Sequence, residues 1–272
     1  MKVLLKIAYL GTNYAGFQAQ RGSGCRTVQQ ILTEAVREAL GKPCSVTGCS
    51  RTDSGVHAKG FCAAIQALDG SDITVPIDKI PIAVNHRLPS DISVMDAAHV
   101  PDDFHPRYDV SSKEYVYTFR DGPVRDPFLH DRAMLLKDRL APEDVDRMDR
   151  AAQAFVGEYD YSAFMAQGSK IVDPVRHVQS ASVKRVGECV EFRVSANGFL
   201  YNMVRIMAGT LLAVGQGKLP SDAISGIIAS KDRKNAGVTA PACGLYLNTV
   251  SYSKPVAWSI HPQTESNGGV DQ

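Results

Sequence analysis

Residues 2–9 alternate along the chain, with Val3, Leu5 and Ile7 on one side and Lys2, Leu4 and Lys6 on the other. That period predicts a strand. Thr27 and Gln30 then form a capping-box pattern that opens a helix. Val28, Ile31, Leu32, Ala35, Val36, Ala39 and Leu40 keep its 3.6-residue period until Gly41 and Pro43 stop it. Residues 45–50 and 60–68 predict two strands around a loop, 76–88 a helix weakened by Pro81, and 92–98 a further strand. The same order then recurs. Residues 113–120 alternate Tyr115, Tyr117 and Phe119, and 142–155 carry Val145, Met148, Ala151, Ala152 and Phe155 on one helical face. Residues 175–186 and 189–196 predict a hairpin turning at Gly187, 199–214 a helix closed by Gly215, 221–229 a short helix and 244–252 a last strand. Each half spells β-α-β-β-α-β, the ferredoxin-like order, so the expected class is α+β with halves at 1–104 and 105–254. The Pro-, Asp- and Arg-rich stretch 100–109 is the expected joint, and 255–272 the expected loose polar tail.

Composition narrows the partners. The chain has 272 residues, longer than one typical core, which agrees with two halves. Thirty basic against 29 acidic side chains exclude a histone-like binder held by bulk charge, while leaving room for a local basic cleft. Six cysteines without a CxxC pair fit reduced thiols in the cytoplasm better than a disulfide framework. Residues 1–10 lack the apolar core of a signal peptide. The most apolar stretch, 199–214, is interrupted by Asn202, Arg205 and Thr210 and falls short of the ~20 apolar residues of a membrane span. Seven histidines show no metal-binding spacing such as HExxH, so no metal is expected.

Three features carry candidate chemistry. The segment from Gly48 to Gly60 packs Arg51, Asp53, His57 and Lys59 among small residues between two strands. It reads as a surface hairpin in which Asp53 caps the turn and Gly55 supplies a positive φ, or as a rigid turn holding a carboxylate toward a cleft. Arg205 is the only formal charge between Val194 and Gly217. A buried guanidinium needs a carboxylate, which makes it either an ordinary structural ion pair or the partner of Asp53. Such a pairing would lower the Asp53 pKa and keep it ionised. Phe104-His105-Pro106-Arg107-Tyr108, followed by Lys113 and Tyr115, sets aromatics beside cations, either as core packing or as a surface that stacks unpaired bases.

Arg51-Thr52-Asp53-Ser54-Gly55-Val56-His57-Ala58 resembles the catalytic motif of the tRNA pseudouridine synthase A family. The resemblance runs on through Gly16-Phe17-Gln18, Thr27-Val28-Gln29, Asp102 to Arg107, Tyr115-Val116-Tyr117, Asn197 to Arg205, and Gly244-Leu245-Tyr246-Leu247. Phe17, Ser54, Asn202 and Ile206 depart from the residues usual there, a tryptophan, an alanine, a histidine and an asparagine. The resemblance implies Asp53 as catalytic aspartate, Arg205 as its salt-bridge partner, Tyr115 against the target uracil and Arg51 on the RNA-facing wall. It also implies a catalytic cleft between two ferredoxin-like halves that share a continuous, antiparallel-rich sheet. The implied partner is tRNA, modified in the anticodon stem-loop just after the anticodon, by a homodimer. No cofactor is needed, because the isomerisation involves neither redox chemistry nor hydrolysis. Water must be kept from a detached uracil, which suggests Leu245 as an apolar wall. Tyr115 either stacks alone or also takes the C5 proton through its hydroxyl. Arg21, Arg26, Lys59 and Arg107, with Lys113, Lys170, Arg176 and Arg233, are the candidates for an RNA-binding groove.

Overall fold

A computed structural model describes residues 1–20, 24–168 and 171–260. Strand β1 (Lys2–Tyr9) buries Val3, Leu5 and Ile7 completely, and Leu4 on the other side as well, so both faces of the sheet are covered there. Helix α1 (Val28–Leu40) begins where Thr27 Oγ1 accepts from the Gln30 N–H at 3.4 Å. It ends at Gly41, whose φ of 67° is a left-handed cap. Gln30 directs its side-chain amide to Glu34 and not back to the cap, so only half of the capping box is made.

Strands β2 (Cys44–Gly48) and β3 (His57–Ala67) flank the Asp53 loop, and helix α2 (Ile80–Asn85) precedes β4 (Ile92–Val100). Pro81 lies in the first turn of α2, where its missing N–H is harmless. The second half holds β5 (Val110–Asp121), α3 (Pro142–Ala152), the hairpin β8 (Val175–Val186) and β9 (Cys189–Ala196), α4 (Met203–Gly215), α5 (Ala223–Ser230) and β10 (Leu245–Tyr252). Two short strands were not foreseen, β6 (Met134–Leu136) and β7 (Gly157–Asp160). Helix α4 also starts later than the apolar run suggested, because Asn202 is left-handed with φ 60° and breaks the helix before Met203.

Five α-helices and ten strands are thus found among the described residues. The strands form one mostly antiparallel sheet in the order β4-β1-β3-β10-β5-β9-β8-β7, with β2 added to β3 and β6 to β5. Only β3–β10 and β5–β6 are parallel. The position of β3 decides where the site lies. Ala58 pairs with both Tyr9 and Leu247, while Ile65 pairs with both Val3 and Val46. Strands β10 and β2 therefore occupy the same edge of β3, one after the other. The β2–β3 connection emerges at that change of partner, which sets it against the C-terminal half.

Residues 255–260 lie against the sheet instead of trailing loosely. The Asp96 carboxylate, which is buried, accepts from the Ser259 N–H, the Ser259 hydroxyl and the Ile260 N–H at 3.0–3.1 Å. Trp258 lies 6.0 Å from Lys6 Nζ.

Candidate active site

Strand β2 ends at Gly48, where a Cβ would fall 2.4 Å from the Phe17 ring. Phe17 in turn stacks on Phe61, with ring centroids 4.2 Å apart. Cys49 still donates to Cys62 O at 2.8 Å, and then the chain leaves the sheet. The loop it forms is braced from below by residues following β1. Phe17 N–H donates to Thr52 O, and both the Ser54 hydroxyl and the Gly55 N–H donate to Tyr14 O. Gly16 has φ 91° and a Cβ there would stand 2.5 Å from Thr52 O, so this close approach demands glycine. Gly55 has φ 77° and Val56 N–H closes the turn onto Asp53 O, the local geometry expected of a hairpin. The Asp53 side chain does not cap that turn; it faces a cleft.

Four side chains, Tyr9, Ala58, Leu247 and Tyr115, stand in one register row across β1, β3, β10 and β5, and Tyr115 lines the cleft. Two of them hold the loop: Tyr9 Oη is 2.7 Å from Thr52 Oγ1, and Tyr115 Oη is 3.2 Å from Ser50 Oγ. The cleft has a volume of about 690 Å³ and is lined by Arg51, Asp53, Arg107, Tyr115 and Leu245, together with the Phe199–Val204 segment ahead of and entering α4. Phe199 meets Tyr115 edge-on at 5.0 Å.

Arg205 reaches Asp53 from α4, with Nη1 to Oδ2 at 3.7 Å. Both side chains are partly buried, 18% and 29% exposed respectively, so the pair is less screened than a surface one. Arg205 is held by Asn202 Oδ1 at 2.8 Å and by Ala240 O at 2.8 Å. Asn202, one of the departures noted above, is thus what orients the guanidinium, while Ile206 is buried in the core. The electrostatics correct one expectation. Burial pushes the Asp53 carboxyl above its ordinary 3.8, and Arg205 only pulls part of the way back.

Burial also drives the Tyr115 hydroxyl far above 10, so it is a neutral phenol at physiological pH. Tyr117 is core, donating to Pro241 O at 2.8 Å. Lys113 Nζ donates to Cys49 O at 2.8 Å, and burial lowers its pKa. His57 is a strut. Its Nδ1 accepts from the Gly11 N–H at 2.9 Å, which leaves the proton on Nε2 to donate to Cys243 O at 3.1 Å. Burial lowers its pKa and favours this neutral form.

Of the basic groove candidates among the described residues, only Arg107 and Lys113 line the cleft. Lys59 is a correction: it follows Ala58 on β3, points to the opposite face, and lies over the Tyr246 ring at 5.1 Å. Arg26 sits 5.4 Å from the Tyr14 ring and does not line the cleft. Arg176 and Arg233 are spent on nearby backbone carbonyls. Arg21 and Lys170 fall outside the described residues. Sequence reasoning held Ser50 and Thr52 within the candidate segment without giving them a role, and missed Phe199 as part of the site. The Asn197-Gly198 pair before Phe199 was the available signal that the helix had not yet begun. Among the described residues no three His, Cys, Asp or Glu side chains converge as a metal site requires.

The family described as tRNA pseudouridine synthase matches residues 6–109 and 151–253, and so runs from within β1 through the Asp53 loop and takes in α4 and β10. The chain belongs to the tRNA pseudouridine synthase family. Among curated relatives, tRNA pseudouridine synthase A of Ruminiclostridium cellulolyticum is 42% identical over 252 residues, covering 92% of this chain and 99% of that protein. The tRNA pseudouridine synthase A of Caldicellulosiruptor bescii is 41% identical over 250 residues, again 92% and 99%. That of Halalkalibacterium halodurans is 41% identical over 245 residues, 90% of each chain. The synthase match leaves out 110–150, which includes all of β5, with Lys113 and Tyr115.

Proposed function

We propose that this protein isomerises uridines of the tRNA anticodon stem-loop to pseudouridine, with Asp53 as its catalytic residue. The observation that carries the reading is a carboxylate on a braced loop, facing an open cleft, 3.7 Å from a guanidinium delivered by α4. The reaction breaks the C1′–N1 bond, turns the base and joins C1′ to C5; N1 ends protonated and the C5 proton leaves to solvent. Ionised Asp53 starts it either by attack on C1′ or by removing the 2′ hydrogen. Both routes need a charged carboxylate, and Arg205 opposes the burial that would neutralise it. Leu245 and Phe199 supply apolar walls, and Tyr115, as a neutral phenol, supplies an aromatic surface beside the uracil. Its raised pKa weighs against its acting as the base for C5.

The target base must leave its stack, which costs a few kcal/mol and is offset by phosphate contacts to residues such as Arg51 and Arg107. We further propose that the strand orders β4-β1-β3-β2 and β10-β5-β9-β8 are two ferredoxin-like halves, that the protein acts as a homodimer in the cytoplasm, and that it needs no cofactor. A tRNA labelled with tritium at uridine C5 tests the chemistry. A synthase releases tritium to water with the chain intact, a ribosyl hydrolase leaves an abasic site, and an RNA-binding protein does neither.

A further inference from the structure

Beside the main cleft lies a smaller groove of about 200 Å³, lined among others by Gln18, Gln29, Thr47, His105 and Tyr108. The groove and the cleft share two lining residues, and both are arginines: Arg51 and Arg107. Two guanidinium groups therefore form the partition between one hollow and the next. A guanidinium pair is a good host for a phosphodiester, which presents its oxygens to planar forks of N–H donors.

The groove is rigid on both sides. Gln29 uses both ends of its amide, accepting from the Ala19 N–H and donating to Val46 O, each at 2.8 Å. On the other side, the turn at 104–109 is fixed by several bonds. Phe104 packs on Tyr252 with ring centroids 4.9 Å apart, Tyr252 donates to Pro106 O at 3.1 Å, and His105 N–H donates to the Asp109 carboxylate at 2.8 Å. His105 Nδ1 accepts from the N–H groups of Arg107 and Tyr108, which holds the imidazole against the turn. Tyr108 stacks on that imidazole at 4.2 Å, yet remains 76% exposed. A fixed aromatic ring with so much open surface is a stacking platform.

We propose that this groove is a second nucleotide subsite. It takes the base of the nucleotide adjoining the uridine in the cleft, stacked on Tyr108, with the connecting phosphodiester held between Arg51 and Arg107. The inference rests on the reading of the Asp53 cleft as the uridine site. Extruding one base unstacks its neighbour on at least one side, and that neighbour then has an aromatic surface within one phosphodiester of the cleft.

The test uses the full protein and anticodon stem-loop RNAs carrying 2-aminopurine, or an abasic residue, immediately 5′ or 3′ of the target uridine. On binding, 2-aminopurine fluorescence should change at one of the two positions in the wild type and in Tyr108→Phe, but not in Tyr108→Ala. Tyr108→Ala should raise KM for tritium release roughly tenfold, as expected for one lost base stack, with kcat little changed. Removing the base at the responding position should impose the same loss on the wild type and none further on Tyr108→Ala. An unchanged KM in Tyr108→Ala, or losses that add in full at both positions, overturns the subsite. A wild type that releases no tritium defeats the synthase reading instead, and the fluorescence then still reports whether Tyr108 takes a base.

Discussion

Asp53 is held in an environment that favours its neutral form, and this has two measurable consequences. In the native state burial raises its pKa above the unfolded value near 3.8, with Arg205 working the other way. Stability linked to this group is therefore fully present below the unfolded pKa and is lost as pH rises through the raised native one. Asp53→Asn should abolish tritium release, by more than about a thousandfold, while leaving tRNA binding in place and raising the melting temperature at neutral pH. That gain should vanish below about pH 3.8. Near-normal turnover in Asp53→Asn would remove the catalytic assignment. The same shift sets the acid side of the pH–rate profile, where activity should fall at a pH above the ordinary aspartate value of 3.8. Arg205→Met should move that limb to still higher pH, and Arg205→Lys should move it less. An acid limb unmoved in Arg205→Met would mean that the guanidinium does not act on the carboxylate.

Helix α4 shows how an element can carry a site through its packing. Gly209 lies on its inner side, where an added Cβ would stand 1.9 Å from Val238 O. The segment so pressed against the helix continues to Ala240, whose carbonyl holds Arg205. In an unhindered helix Gly→Ala stabilises by up to ~1 kcal/mol; Gly209→Ala should instead destabilise by ~1–3 kcal/mol and lower activity by displacing the Arg205 anchor. Gly226 in α5 is the control, having no atom within 4 Å of an added Cβ. Gly226→Ala should stabilise by ~0.5–1 kcal/mol, and chemical denaturation of both variants distinguishes the two signs. Legibility in the sequence followed the same division between local and distant causes. The β8–β9 hairpin and the start of α1 were readable to the residue, because alternation around Gly187 and the cap at Thr27 are local signals. Strands β6 and β7, of three and four residues, exist because a neighbour pairs with them, and no local period announces that. The Asp53–Arg205 partnership was legible as a charge needing an opposite, but the sign of the Asp53 shift depended on burial by residues from both halves. The place of Lys59, over Tyr246 and away from the cleft, depends on β10 pairing beside β3, which no local signal announces.

At the scale of the whole molecule, near-neutral charge conceals local asymmetry. Arg51, Arg107 and Lys113 converge at the cleft although 30 basic side chains are matched by 29 acidic ones. Binding of tRNA should accordingly weaken steeply with salt, with a log–log slope of about −0.7 to −0.9 for each phosphate neutralised; a flat response in filter binding would argue against a basic groove. The contact between Asp96 and residues 259–260 ties the segment after β10 back to β4. Three of the donors that satisfy this sealed carboxylate come from residues 259 and 260, beyond the last strand. A variant ending at residue 255 would keep the described strands and helices yet lose these three hydrogen bonds, at ~0.5–1.5 kcal/mol each. Timed limited proteolysis should therefore cut the shortened variant well before the full chain, because the clasp that pins residues 259 and 260 to β4 is gone.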